Sequence, residues 1–379
     1  MKAKIYKAKP YTNEIIRGKF EKVKDLRVVG MVDHPLVDLL IIIMLSIVSG
    51  VEKLDEIVTY GKKKRGFLRQ VFGIEKTPSK STLSRVLNMI DGEEVVEIII
   101  EIMKMKIVRL GDAIAVDGKA IRSTAERGKP KTALQILTAY FVESGVVLGQ
   151  KYIREKTNEI PVFQEMLCQI NIKGKTITAD AMHCQKDTCR MIIAKGGNYV
   201  FGLKGNQKSF YKQVEMFFND VDNAGRIEVF ELPAEKHNGR CERRIFYRAN
   251  TDVSYFNFNE EWFDLKSVFA VRRIVETKYG ITDEIGYYIS NLDRTPEQML
   301  SLVRSHWKIE SMHWLLDVVF SEDDSRILSD NGQKTLDIFR KFALLLHKTF
   351  IAENNLKCSL KNNMFSCLLD DYFLLQVCS

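Results

Sequence analysis

The segment AIAVDGKA, residues 113–120, is a short apolar pattern that contains one acid, and it strongly constrains the fold of the central part of this chain. Apolar residues alternate there with small or acidic ones, which is the two-residue period of a β-strand. Gly118 directly after Asp117 lets the backbone turn, so the strand is expected to end there. Lys119 and Arg122 follow, and both can contact an anion drawn to this place. Asp117 is thus a candidate functional acid, and an aspartate that only caps the next turn is the alternative.

The next segment alternates between strand and helix patterns. The predicted elements are strands at 134–142, 145–153, 175–180 and 199–204 and helices at 154–167 and 185–194. The strand at 175–180 (KTITAD) closes on a second acid, Asp180, with its threonines on one face. Strands that alternate with helices in this way predict an α/β core.

A third acid lies on a predicted helix at residues 296–320. Apolar side chains surround this helix except along one largely polar stripe. The stripe consists of Val303, His306, Glu310, His313, Trp314 and Asp317. Because burying an unpaired charge is costly, its carboxylates need partners inside the fold. Glu310 is the third candidate acid, and a structural His306–Glu310 pair is the alternative. Residues 322–324 (EDD) are expected to be a solvated helix end.

Changes of pattern divide the chain into five segments. Residues 1–112 are predicted to form a small helical domain, and residues 113–204 the first part of the α/β core. Residues 205–286 show strand patterns at 226–232, 243–249 and 267–276 joined by polar turns, over a length too great for an ordinary loop, which predicts a mostly β insertion. Residues 287–350 resume the core with a strand at 287–291 and the third-acid helix, and residues 351–379 form a C-terminal tail.

Positive charge is concentrated near the amino end. The net charge is +8, yet residues 1–85 hold 18 Lys and Arg against 9 Asp and Glu, so the rest is near neutral. Helices are predicted at 35–50, 51–60, 80–90 and 93–110, and the third begins with cationic and hydroxyl side chains, as in a helix-turn-helix-like unit. This favours a nucleic-acid partner, with a solvated basic face as the alternative. The candidate DNA-binding residues of this segment are Lys62, Lys63, Lys64, Arg65 and Arg85.

Composition narrows the class of protein. With 45% hydrophobic and 28% charged residues, the 379-residue chain is globular and can bury a large core. The longest apolar run, residues 39–51, is short of a membrane span, and no export signal is recognisable, so a cytoplasmic, nucleoid-associated protein without a membrane partner is expected. The seven cysteines are scattered, which predicts reduced thiols. His183, Cys184 and Cys189 cluster without a second pair of soft ligands, so zinc is disfavoured.

Two strand-end aspartates and a helical glutamate on an α/β core suit metal chemistry. Such a set can hold two Mg²⁺ ions roughly 4 Å apart. Ions so placed activate a water or hydroxyl and stabilise both oxygens of an in-line phosphoryl displacement. The acids are therefore compatible with nuclease-type chemistry, which sequence spacing alone does not single out.

Five separated motifs carry a resemblance to a known family. They are AVDGKAIR (115–122), LGQKYIREKTNEI (148–160), TADAMHCQK (178–186), GGNYVFGLKGNQ (196–207) and RSHWKIESMHWLLDVVFSEDDSR (304–326). Two looser ones, DHPLVDLL (33–40) and DDYFLLQV (370–377), extend it over nearly the whole chain. In this order they resemble the H-repeat-associated insertion-sequence transposases, a branch of the DDE superfamily. The resemblance implies a ribonuclease-H-like catalytic core.

The resemblance also implies a metal site. By motif position the family's acidic triad falls on Asp117, Asp180 and Glu310, with two Mg²⁺ ions as the expected cofactor and Mn²⁺ as a substitute. The wider superfamily has Tyr, Arg, Glu and Lys on the third-acid helix. The corresponding residues here are Val303, His306, Glu310 and Asp317. The cations of that pattern are thus missing, and Lys204 and Lys308 are candidates to replace them.

The implied DNA contacts surround the triad. The wider superfamily packs the aromatic at the position of Trp307 against a base displaced near the cleaved end, with a core tryptophan as the alternative here. The candidate DNA-binding residues of the catalytic segments are Lys119, Arg122, Lys204, Asn206, Gln207, His306, Trp307 and Lys308.

The resemblance favours a transposase that binds the inverted repeats at the ends of its own insertion sequence, is a homodimer on those ends, and cleaves and transfers DNA strands into a target. A transposase-derived protein that binds DNA without cutting it is one alternative, and a host nuclease on the same core is another. Mg²⁺-dependent nicking of a cognate end separates the first function from the second. Strand transfer into target DNA separates the first from the third.

Overall fold

The structure is a computed structural model of the chain and describes residues 10–28, 30, 32–105, 111–125, 129, 132–153, 159–237, 239–256, 262–327 and 329–379. Its helices are α1 (Pro10–Phe20), α2 (Leu36–Val48), α3 (Leu54–Lys63), α4 (Arg65–Phe72), α5 (Lys80–Met89), α6 (Gly92–Met105), α7 (Glu159–Gln169), α8 (Lys186–Ala194), α9 (Lys208–Asn219), α10 (Pro296–Val318), α11 (Asp330–Glu353), α12 (Leu360–Leu369) and α13 (Asp371–Cys378). Its strands are β1 (Ala113–Ile121), β2 (Leu134–Phe141), β3 (Val146–Ile153), β4 (Thr176–Ala179), β5 (Asn198–Leu203), β6 (Ile227–Glu231), β7 (Glu235–His237), β8 (Arg240–Ala249), β9 (Ser267–Thr277) and β10 (Gly280–Ser290).

A 10-stranded sheet organises the described residues, in the order β3-β2-β1-β4-β5-β10-β9-β8-β6 with β7 paired to β8. β1 runs parallel to β4, and β4 parallel to β5, whereas β2 lies antiparallel between β1 and β3. An antiparallel meander of three strands followed by two parallel strands with intervening helices is the arrangement expected of a ribonuclease-H-like core. The predicted fold class is therefore confirmed.

The strand that carries Asp117 does not end at that residue. β1 continues past it, still paired with β2, so the predicted turn at Gly118 is wrong. Gly118 leaves room for the carboxylate of Glu159, since a Cβ there would lie 2.6 Å from Oε1 of Glu159 and would make that side chain shift. What does end here is the pairing with β4, whose last pair joins Val116 to Ala179. Asp117 therefore lies where β1 loses one of its two neighbours.

The segment predicted as a mostly β insertion extends the core sheet. β10 connects the two parts, since it pairs with β9 along its whole length and with β5 through Tyr287–Ser290. Its start at Gly280 is earlier than the predicted strand, and α9 has no predicted counterpart. α9 follows β5 and buries one apolar face through Phe210, Val214 and Phe217. The segment is thus mostly β, but it shares hydrogen bonds with the core sheet.

The amino-terminal helices share the main hydrophobic core. α2 is buried as predicted, beginning after Pro35 and followed by Gly50 at φ +77°. α6 packs against α11, and one apolar cluster runs from these helices into the sheet. The predicted helices at 93–110 and 154–167 are each confirmed in part, since residues 106–110 and 154–158 lie outside the described residues. The domain boundaries drawn from the sequence stay a prediction. Among the described residues, each helix is either too short or too polar to cross a bilayer.

Candidate active site

Asp117 and Asp180 lie on neighbouring strands at the same level. Each directly follows a member of the last parallel pair between β1 and β4. Because neighbouring strands are about 4.8 Å apart, this register brings the two positions side by side. The strand pairing therefore brings two of the three candidate acids together.

Asp117 is held from both sides. Its side chain is 18% exposed, and its Oδ1 accepts a hydrogen bond from the backbone N–H of Gly118 at 2.9 Å. Its Oδ2 lies 3.3 Å from Nδ1 of His313 on α10. Nε2 of His313 is buried and has no hydrogen-bond partner among the described residues. His313 thus connects the acid on β1 to the helix that carries Glu310.

Asp180 is the more open of the two aspartates, with 61% of its side chain exposed. Oδ1 of Asp180 lies 3.8 Å from Nε2 of His306, whose Nδ1 is 3.3 Å from Oγ1 of Thr178. His306 is the main reason why the pKa of Asp180 lies below its usual value, with Lys204 and His183 adding to the effect against partial desolvation. The histidine pairs with Asp180 and not with Glu310, so the structural His306–Glu310 pair considered from the sequence is not what forms.

Glu310 faces the two aspartates from α10. The helix begins at a capping box, in which Thr295 and Gln298 each bond the other's backbone N–H, and Pro296 takes the first helical position. Glu310 is exposed although Ile309 beside it is fully buried. Partial desolvation raises the pKa of Glu310, and the charges of Asp117 and Asp180 raise it further against His306 and His313. The charges of both aspartates thus reach Glu310, so the three carboxylates lie around one site.

A cleft of about 420 Å³ opens beside two of these acids. Its polar lining includes Asp180, Glu310, His306, Trp307 and Lys204, and Tyr288 closes one wall. Lys204 is exposed and lies close enough for its charge to lower the pKa of Asp180. The predicted site residues of β4, β5 and α10 therefore meet at one opening.

Trp307 is a half-buried residue and not a core tryptophan. Its ring centroid lies 4.7 Å from Cζ of Arg273 and 5.5 Å from Cζ of Arg244, within the range of cation–π contacts. Trp314, also on α10, is 59% exposed. The core alternative for Trp307 is wrong, and its role in DNA binding stays a prediction.

Lys119 contacts carboxylates of this chain. Its Nζ lies 2.5 Å from Oδ1 of Asp317 and 2.5 Å from Oε2 of Glu322, and its side chain is 11% exposed. Glu322 is fully buried and also lies 3.7 Å from Arg340, so the expectation that residues 322–324 form a solvated end is wrong for this residue. Ser321 at φ +47° turns the chain inward there. Lys119 thus pairs with one buried acid, Glu322, and with the partly exposed Asp317, and its contact with DNA stays a prediction.

The other candidate DNA contacts fall into two groups. Asn206 and Gln207 support the loop after Asp180, because their side-chain amides donate to the carbonyls of Ala181 at 2.6 Å and Cys184 at 3.0 Å. Arg122 and Lys308, by contrast, are exposed, although the backbone N–H of Arg122 donates to Asp323 at 2.9 Å. Asn206 and Gln207 thus position the backbone of the loop after Asp180, whereas Arg122 and Lys308 have charged side chains exposed to solvent.

The amino-terminal cations lie at the junction of α3 and α4, except for Arg85, which lies on α5. Lys62, Lys63, Arg65 and Arg85 are exposed. Lys64 differs, since its Nζ lies 2.5 Å from Oδ1 of Asp371 on α13 and its side chain is 13% exposed. Four of the five candidates are thus accessible to a ligand, and the fifth connects the amino-terminal helices to the carboxyl end.

The donor set fits a hard divalent cation in chemistry. Carboxylate oxygens are what Mg²⁺ and Mn²⁺ prefer. Desolvation raises the pKa of Glu310, the charges of Asp117 and Asp180 raise it further, and a cation would relieve that repulsion. Among the described residues no group of three or more His, Cys, Asp or Glu side chains is arranged tightly enough to hold an ion as it stands. That finding covers His183, Cys184 and Cys189 as well as the triad.

Sequence reasoning missed the partners of the acids. His313 was placed on the polar stripe of α10, yet nothing in the sequence indicated that it would contact Asp117 across the fold. Arg244 and Arg273 were not candidates, although an arginine on each of two predicted strands of the insertion could have drawn attention to that segment.

Comparison with known families shows which protein family this chain belongs to. A family model described as "Transposase DDE domain" matches residues 109–346, and one described as "DDE_Tnp_1-associated" matches residues 18–103. The chain belongs to the DDE transposase family. The ribonuclease-H-like sheet and the predicted resemblance agree with this membership.

Three relatives are similar to this chain over most of their length. "Putative transposase YncI" of Escherichia coli O157:H7 is 34% identical over 86% of this chain and 85% of its own. "Putative protein YbfL" and "H repeat-associated putative transposase YhhI", both of E. coli K12, are each 31% identical over 94% of this chain and 95% of their own. Among solved structures, a piggyBac transposase synaptic complex with hairpin DNA is 11% identical with a TM-score of 0.45, over 98% of this chain and 82% of that chain, a likeness too distant to assign a fold by itself.

Proposed function

We propose that this chain binds the ends of its own insertion sequence and, with divalent metal ions, cleaves DNA strands and transfers them into target DNA. The observation that carries the proposal is the meeting of three carboxylates, Asp117 and Asp180 at neighbouring strand positions and Glu310 on α10, beside an open cleft. Membership of the DDE transposase family supports the same chemistry. A cleft open to solvent suits a polymer substrate better than an enclosed pocket would.

Asp117, Asp180 and Glu310 would hold the metal, Mg²⁺ in this proposal with Mn²⁺ as a substitute. When bound, two such ions activate a water or hydroxyl and stabilise the attacking and leaving oxygens of phosphoryl transfer. His313 and His306 would orient the two aspartates through the contacts at 3.3 Å and 3.8 Å. Partners of this kind keep metal-binding side chains in the geometry that binding requires.

The amino-terminal cations would recognise the inverted repeats. Lys62, Lys63, Arg65 and Arg85 are exposed and can neutralise phosphates, and the helices that carry them lie in the region of highest positive charge. Two copies of the chain, one on each end, would form the homodimer that joins the ends.

Replacement of each acid by its amide tests the proposal. Asp117→Asn, Asp180→Asn or Glu310→Gln removes a metal-binding charge with little change of shape, so strand cleavage in Mg²⁺ should be abolished while end binding persists. The substrate is a duplex with the inverted repeat found beside the gene, extended by its natural flank. Asp187→Asn is the matched control, because Asp187 is 79% exposed on α8. An amide variant that cleaves at the wild-type rate would remove that residue from the triad.

A DNA-binding protein that does not cut is the second candidate. It is favoured by the third-acid helix, where Val303, His306 and Asp317 stand in place of the Tyr, Arg and Lys of the wider superfamily. If the wild type binds the end tightly but leaves it intact in both Mg²⁺ and Mn²⁺, this function replaces the first.

A further inference from the structure

Two arginines lie directly opposite each other on β8 and β9, on the face of the sheet that α10 covers. Arg244 and Arg273 are partners in the register of these strands. Like charges in opposed positions destabilise a sheet, so this pair needs a compensating reason. Arg272, the neighbour of Arg273, has its side chain on the other face and pairs with Asp283 at 2.6 Å. Only one of two adjacent arginines of β9 therefore faces the helix of Glu310.

Trp307 holds the two guanidinium groups. Cζ of Arg273 lies 4.7 Å and Cζ of Arg244 5.5 Å from its ring centroid. A planar guanidinium that stacks on an indole keeps its edge free to donate hydrogen bonds. Trp307 precedes Glu310 by three residues on α10, so the arginines are fixed within one helical turn of a candidate catalytic acid.

The local acids do not balance the local cations. Glu242 alone accepts from Arg244 at 2.6 Å, from Arg273 at 2.5 Å and from Arg240 at 3.0 Å. With the further pairs, four arginines (240, 244, 273 and 304) share three glutamates (235, 242 and 284). Arg244 is 7% exposed, and its Nε is buried without a partner among the described residues. Glu310 also lines this region, but the two least exposed arginines, Arg244 and Arg273, share the one little-exposed acid, Glu242. This half-buried excess of positive charge favours an anionic ligand.

A cavity of about 450 Å³ connects these arginines with the acid. It is lined by Arg240, Glu242, Arg244, Arg273, Trp307, Glu310 and Ser311. Paired N–H groups of arginine match the two free oxygens of a phosphodiester. The cavity reaches Glu310, so a phosphate bound there would lie next to the one that the triad acts on.

We infer that Arg244 and Arg273, held in place by Trp307, bind a phosphodiester of the DNA strand adjacent to the scissile one. The inference deepens the proposed function and rests on it for the identity of the ligand. Trp307 is then a positioning residue, because guanidinium groups lie against its ring, and not the free platform for a displaced base that the family resemblance implies. The β insertion thereby contributes a strand-binding site.

The test combines Arg273→Gln with neutral phosphates. The full chain is assayed on the element-end duplex, in which single phosphates near the scissile bond are replaced one at a time by methylphosphonates. Binding is measured in Ca²⁺ and single-turnover cleavage in Mg²⁺. Arg273→Gln should lower affinity about tenfold and reduce the log–log salt slope by about 0.9, whereas Arg272→Gln should leave both near the wild-type values. A methylphosphonate at one position should weaken DNA binding by the wild type about as much as Arg273→Gln does. The same methylphosphonate should not weaken binding by the Arg273→Gln variant any further.

Several results would overturn the inference while leaving the proposed function intact. One is an Arg273→Gln variant that binds and cleaves like the wild type. Another is an Arg273→Gln variant whose loss of affinity adds to the loss caused by each methylphosphonate in turn, which would mean that the arginine only stabilises the sheet. Arg273→Lys is the control for misfolding, because it keeps the positive charge but lacks the paired N–H groups of a guanidinium. It should therefore recover only part of the lost DNA affinity. A wild type that binds but never cleaves would remove the catalytic proposal and still permit the binding test, and one that binds no DNA would remove both.

Discussion

Glu322→Gln should destabilise the protein by about 3 kcal/mol at neutral pH. Glu322 is fully buried, with Lys119 at 2.5 Å and Arg340 at 3.7 Å, and Arg340 is itself 2% exposed. Removing one partner of a buried ion pair costs about 3–5 kcal/mol, because the remaining charge stays in a medium of low dielectric constant. Asp317 and Glu52 still contact the two cations, so the lower end of that range is expected.

The pH dependence of stability gives a second estimate. Burial alone would raise the pKa of Glu322, but the charges of Lys119, Arg340 and Lys341 outweigh it and hold the pKa at about 2, against a usual 4.5. Since the folded-state pKa is the lower one, the stabilisation is complete above about pH 4.5 and is lost as the pH falls towards 2. At about 1.4 kcal/mol for each pH unit, the stabilisation amounts to about 3 kcal/mol.

Urea unfolding followed by circular dichroism measures both quantities. Wild type and Glu322→Gln are compared at pH 7 and at steps down to pH 3, and the gap between them should narrow below about pH 4.5. Asp324→Asn is the control, since Asp324 belongs to the same acidic run but is exposed, and it should change the free energy of unfolding by less than about 0.5 kcal/mol. A Glu322→Gln variant within about 1 kcal/mol of the wild type, or a gap that does not change with pH, would refute the reasoning.

Other perturbations follow from the same contacts. Burial lowers the pKa of His347 to about 4 from 6.5, so the stability that depends on the neutral imidazole is complete above pH 6.5 and is lost as the pH falls through 4. His347→Gln should flatten the urea midpoint as a function of pH in that range, and a pH dependence equal to that of the wild type would count against the reasoning. Lys62→Gln should reduce the salt slope of DNA binding by about 0.9 in fluorescence anisotropy, whereas Lys64→Gln should lower the urea midpoint with no change of slope, and the reverse pattern would contradict both. Trp307→Ala should slow single-turnover cleavage with folding intact, while the exposed Trp314→Ala should not; equal rates would assign Trp307 no part in the reaction.

The sequence predicts the elements whose residues form a recognisable local pattern. β4 and β5 alternate apolar with small or polar residues, although every position of β4 is buried, and α10 shows a polar stripe on an apolar helix. The first half of β10 escapes the same reasoning. Its residues from Gly280 to Ile285 are exposed on both faces, so no alternation of burial distinguishes them from a loop. The strand forms because β9 supplies its hydrogen bonds, which is a long-range cause.

In the candidate site, too, the sequence predicts what depends on local patterns and misses what depends on long-range contacts. The positions of Asp117, Asp180 and Glu310 follow from strand ends and a helical stripe, which are local patterns. Their partners depend on tertiary packing, and Lys119 meets Glu322 across 203 residues of sequence. An acidic run such as residues 322–324 has the composition of a solvated turn. Only the backbone turn at Ser321 directs one of its three carboxylates into the core.

The shared strand β10 limits how this protein can be shortened. Removing residues 205–286 to obtain a minimal catalytic core would take away β9 and most of β10, and the segment Tyr287–Ser290 that pairs with β5 would become the edge of the sheet. Tyr287 and Ile289 of this segment are buried. An apolar strand with free N–H and C=O groups recruits other chains, so a trimmed protein should accumulate as aggregates in the expressing cell. Useful truncations would have to retain the hairpin of β9 and β10 as a lid on that edge.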